Sequence, residues 1–86
     1  MSVRREVVIT NSHGLHARPA AELVALLASF DAGVEITVGD KSANASSIMS
    51  LLALGASTGS TAEVNAEGAD AAAAMDAVVG ILTSED

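Results

Sequence analysis

Residues 3–30 read VRREVVITNSHGLHARPAAELVALLASF, and the spacing of the apolar side chains changes partway along this stretch. From Val3 to Thr10 it alternates. Val3, Val7 and Ile9 fall on one side with Arg5 as the exception, and Arg4, Glu6 and Thr10 fall on the other. That period predicts a strand with one buried face. Asn11 to Gly14 reads as a loop. From Ala17 the period becomes helical, with Ala20, Leu23, Val24, Leu27 and Phe30 on one apolar face. Pro19 is compatible with this helix because it lies in the first turn, where a missing N–H costs nothing. Asp31-Ala32-Gly33 ends it.

The rest of the chain continues in the same two periods. Val34, Ile36 and Val38 alternate as a second strand, Gly39-Asp40 turns, and Lys41 to Ala45 forms a weak third strand. Ser46 or Ser47 then caps a short apolar helix containing Ile48, Met49, Leu51, Leu52 and Leu54, closed by Gly55. After a loop over 56–60, Ala62, Val64 and Ala66 alternate as a fourth strand. Gly68 turns the chain, and Asp70 is placed to cap a last helix whose apolar face holds Met75, Val78, Val79 and Leu82. Met49 and Met75 are expected in the core. The order is β-α-β-β-α-β-α. Strands with one apolar face each predict an α+β open-faced sandwich, a four-stranded antiparallel sheet covered on one face by three helices.

Composition bounds what this fold can do. The 86 residues suit a single domain, 1–86. Phe30 is the only aromatic residue, so the core is aliphatic, and a chain this short has no room for a nucleotide-binding fold plus a substrate domain. The net charge of −7 argues against nucleic acid and anionic membranes as partners. Basic patches on other proteins fit better. The absence of cysteine excludes disulfide and thiolate chemistry and fits a cytoplasmic address. The start, MSVRREVVIT, has no apolar h-region, and the longest apolar run is too short to span a bilayer. The glycines make neither a P-loop nor a dinucleotide fingerprint, so no nucleotide site is expected.

His16 is the residue that stands out chemically. It lies just before a helix whose N-terminus offers backbone N–H groups and a partial positive charge, both of which attract an anion such as phosphate. Ala17 supplies the first of those helical groups. Arg18, two residues on from His16, carries a guanidinium suited to phosphate oxygens. The positive helix end also disfavours an imidazolium, which keeps a neutral ring nitrogen for attack on phosphorus. His13 and His16 form an H-x-x-H pair, but a metal site needs a third ligand, and no HEXXH or cysteine supplies one; no metal is expected. Ser46 and Ser47 have a simple role as caps, and a phosphate there would sit favourably against the helix end beside apolar Ile48 and Met49.

The stretch Gly14-Leu15-His16-Ala17-Arg18-Pro19-Ala20, GLHARPA, resembles the active-site motif of the HPr family, the histidine-containing phosphocarriers of the bacterial phosphoenolpyruvate-dependent sugar phosphotransferase system. Ser47-Ile48-Met49 followed by Leu52-Ala53-Leu54-Gly55 resembles the family's regulatory serine segment, and Ala66-Glu67-Gly68 also matches its pattern. The resemblance covers essentially the whole chain. It implies that His16 is phosphorylated at Nδ1 by phospho-enzyme I, that Ala17 and Arg18 hold the phosphoryl group, and that the group passes to a histidine on an enzyme IIA domain. It further implies that Ser47 is a substrate of HPr kinase/phosphorylase where the host has that enzyme. No cofactor is implied, and magnesium belongs to the partners. The protein would be a monomeric carrier rather than an enzyme. Two features depart from the family pattern: His13 directly before the motif glycine, and the scarcity of Lys and Arg around the first two helices.

Other classes of function compete with this one. A regulatory binding module would act through protein contacts controlled by Ser47. A carrier could also serve a non-sugar branch, such as a nitrogen-regulatory or dihydroxyacetone kinase relay. Leu15, Leu51, Leu52 and Leu54 are candidate partner contacts.

Overall fold

A computed structural model describes residues 1–84. The element order is β1 (Ser2–Val8), α1 (Ala17–Leu27), β2 (Gly33–Val38), β3 (Lys41–Asn44), α2 (Ile48–Ala53), β4 (Thr61–Glu67) and α3 (Ala71–Leu82). The strands form one antiparallel sheet in the order β1-β4-β2-β3. This is the order and architecture expected from the sequence.

Register follows from which side chains share a face. Val7 pairs with Ala62, and Val34 and Val3 both flank Ala66. A row running Arg5, Val64, Ile36, Ala43 crosses the whole sheet. Its three apolar members are buried, together with Val7, Val34, Ala62 and Ala66, beneath Ala20, Leu23 and Leu27 of α1, Leu51 of α2 and Ala71, Ala74, Met75, Val78 and Leu82 of α3. Arg5 stays exposed at the edge strand, as its charge requires. On the open face Arg4 pairs with Glu63 at 2.7 Å, offsetting the Glu6–Glu63 cross-strand repulsion; exposed pairs of this kind add little stability.

Three expectations need correction. The first helix ends at Leu27 rather than running to Phe30; Phe30 reaches the core from the turn that follows. Met75 is fully buried, but Met49 is 76% exposed, because six-residue α2 turns only Leu51 fully into the core. Asp70 occupies the N-cap position of α3 without capping it. Its carboxylate instead accepts a hydrogen bond from the Asp31 N–H at 2.7 Å, while the Asp70 N–H donates to the Asp31 carbonyl at 2.9 Å. This exchange clamps the turn before β2 to the turn before α3. Gly68 makes the clamp close: a Cβ there would lie 2.5 Å from the Asp31 oxygen.

Candidate functional site

The other end of the sheet positions His16. As β1 finishes, the Ile9 N–H donates to the Ser60 carbonyl (2.9 Å), the Thr10 N–H to the Leu82 carbonyl (3.0 Å) and the Gly59 N–H to the Ile9 carbonyl (2.8 Å). Asn11 is fully buried, and its carbonyl accepts from the Gly14 N–H at 3.2 Å and from the Thr58 hydroxyl. Gly14 has a φ of 68°, and a Cβ on it would lie 2.5 Å from the Ala56 oxygen and 2.6 Å from the Ser57 Cα. Only glycine allows both the backbone angle and the approach. Leu15 then buries its side chain and donates its N–H to the Ala56 carbonyl at 3.1 Å. The chain reaches His16 already fixed on both sides.

His16 is the N-cap of α1, with extended backbone (φ −94°, ψ −170°), and its carbonyl accepts the helical bond from Ala20 at 3.1 Å. Its imidazole makes no capping hydrogen bond. Helix geometry gives the first N–H groups no intrahelical acceptor; the first of them here is that of Ala17, and Pro19 has none to satisfy. The His16 ring is half-buried and lines an open depression of about 300 Å³ with Ser12, His13, Arg18, Pro19, Glu22 and Ser84. The His16 and Arg18 side chains thus share one depression, while Ala17 does not line it and enters the site only as the first residue of α1. Glu22 and Ser84 had no local signal; helical geometry and the Thr10–Leu82 bond bring them in.

His13 is exposed, its ring centre 5.5 Å from that of His16 and its plane rotated by 76°. Among the described residues, no group of three His, Cys, Asp or Glu side chains could hold a metal ion.

Ser47 lies outside this depression, at the N-cap of α2, where its hydroxyl accepts the Ser50 N–H at 3.2 Å. Ser46 is not the cap: its N–H and hydroxyl both donate to the Asn44 side-chain oxygen, at 2.9 and 2.8 Å. Of the four leucines expected to offer partner contacts, Leu15, Leu51 and Leu54 are core, and Leu52 is exposed. Ile48 and Met49 join Leu52 on the surface of α2.

Residues 3–84 match the family described as "PTS HPr component phosphorylation site". The chain is 40% identical over 83 residues to the phosphocarrier protein NPr of Shewanella violacea, covering 96% of this chain and 91% of that protein. It is 38% identical over 78 residues to the phosphocarrier protein HPr of Vibrio cholerae, covering 91% and 92%. The crystal structure of a phosphocarrier protein HPr from Bacillus anthracis superposes with a TM-score of 0.90 at 35% identity, covering 95% of this chain and 98% of that one.

Proposed function

The chain belongs to the HPr phosphocarrier family of the phosphotransferase system, and from that premise we propose that His16 carries the phosphoryl group, taking it from phospho-enzyme I and giving it to an enzyme IIA domain. The observation that carries this reading is the idle imidazole: His16 occupies a helix N-cap, yet its ring makes no capping bond and faces an open depression shared with Arg18.

In the forward step a lone pair on the His16 ring, at Nδ1, attacks phosphorus. A new P–N bond forms as the P–N bond on enzyme I breaks, and the departing nitrogen keeps the electron pair. The second step repeats this in the opposite sense on the acceptor histidine. Negative charge on the phosphoryl oxygens is met by the Ala17 N–H, the positive end of α1 and the Arg18 guanidinium. The carrier supplies position and charge, and the partners complete the site.

Ile48, Met49 and Leu52 form the apolar surface that an enzyme I or enzyme IIA partner covers. Ser47 is the position for regulatory phosphorylation by HPr kinase/phosphorylase. A phosphate there would favour the α2 N-terminus and place charge beside that apolar surface. No helix among the described residues is long and apolar enough to cross a membrane. The carrier reading assigns the protein to the cytoplasm, alongside enzyme I and enzyme IIA.

The test is transfer onward. Protein phosphorylated by enzyme I is purified and mixed with a sugar-branch enzyme IIA and, separately, with a nitrogen-regulatory one. Transfer of label to the sugar-branch acceptor supports the reading. Transfer to the nitrogen-regulatory acceptor alone assigns the carrier to the non-sugar branch, and transfer to neither contradicts it.

A further inference from the structure

The carrier reading leaves one group beside His16 without a task. The His13 ring stands nearly perpendicular to the His16 ring at a centre-to-centre distance of 5.5 Å. Its place is set by the turn that Gly14 closes against Ala56. Its Nδ1 lies 3.1 Å from the Ser12 hydroxyl oxygen. A hydroxyl both donates and accepts. Ser12 can therefore hold the ring when it is neutral, by donating to Nδ1, and when it is an imidazolium, by accepting from Nδ1–H. Nε2 is left for a third group in both states.

We propose that His13 is a second donor to the phosphoryl group on His16 and takes up a proton from solvent as that group arrives. The inference rests on the carrier reading and deepens it. A phosphoryl group brings close to two negative charges. Attached to His16, it lies within hydrogen-bonding reach of a ring as near as His13. Negative charge at that range favours the protonated imidazole. Among the described residues, the charged and titratable groups that line the same depression with His13 are His16, Arg18 and Glu22. Arg18 opposes proton uptake at His13 and Glu22 favours it. Both are present before and after phosphorylation, so the phosphoryl group is the change that matters. The P–N bond on His16 is untouched; the proton adds to an imidazole nitrogen of His13. Because the phosphorylated form then binds more protons, falling pH favours phosphorylation through the range in which His13 titrates.

The experiment is an NMR titration of the ¹⁵N-labelled full chain, first unphosphorylated and then kept phosphorylated by enzyme I and phosphoenolpyruvate. The His13 ring should hold its proton to higher pH in the phosphorylated protein, its midpoint moving up by about half a pH unit or more. The ³¹P signal of phospho-His16 should show an inflection at the same pH, absent in His13→Asn. A phosphohistidine signal with an unmoved His13 midpoint, or with the same inflection in His13→Asn, overturns the inference alone. No phosphohistidine signal at all overturns the carrier reading and the inference together.

Discussion

Gly14 lies so close to Ala56 that a side chain at residue 14 would put its Cβ 2.5 Å from the Ala56 oxygen. The next residue donates its N–H to that same oxygen at 3.1 Å. The loop carrying His16 is thus seated on the loop that follows α2, and this contact gives the first prediction. Gly14→Ala combines a left-handed backbone with a backbone clash and should cost on the order of 3 kcal/mol in a urea melt. It should also slow phosphorylation of the molecules that remain folded. Gly68→Ala meets the Asp31 oxygen at the same distance at the opposite end of the sheet. It should cost a similar amount of stability and leave the phosphorylation rate of the folded protein unchanged.

The two serines before α2 separate by stability. Ser47→Ala removes the N-cap and should cost about 1 kcal/mol, whereas Ser47→Asp keeps a capping oxygen and should stay near wild type. Ser46→Ala keeps the N–H bond to Asn44, loses only the exposed hydroxyl bond and should fall within about 0.5 kcal/mol of wild type. Thermal melts of the three variants check this ordering.

Leu51 and Met49 lie two residues apart and should behave oppositely. Leu51→Ala opens a cavity in the core and should cost about 2–4 kcal/mol. Met49→Ala removes an exposed side chain and should leave the melt unchanged while weakening binding to enzyme I. An unchanged affinity in a titration would remove Met49 from the partner surface.

Arg18 should matter for the rate of transfer. Arg18→Ala should slow phosphoryl transfer by at least about tenfold through loss of a charge-assisted donor. Arg18→Lys, a point charge without the planar fork, should recover only part of the rate.

Much of this was legible in the chain. Alternation in β1 and β4 and the change of period at Ala17 give the sheet and the first helix, and the GLHARPA motif points to His16 and Arg18, whose side chains line one depression. The sequence was silent where tertiary contact decides. In a six-residue helix with apolar residues at 48, 49, 51 and 52, periodicity alone does not say which ones face the core, and Met49 points to solvent. Asp70 has the composition and position of a cap, but the Asp31 N–H from another turn takes its carboxylate. Gly14 reads locally as a turn residue, and its second reason for being glycine, the Ala56 oxygen, comes from 42 residues further along the chain.

The most direct test of the account is intact mass after incubation with enzyme I, phosphoenolpyruvate and magnesium, for the wild type and His16→Ala. The account predicts an acid-labile gain of one phosphoryl group in the wild type and none in the variant. No gain with a competent enzyme I from the same host, or the same gain in His16→Ala, would contradict it.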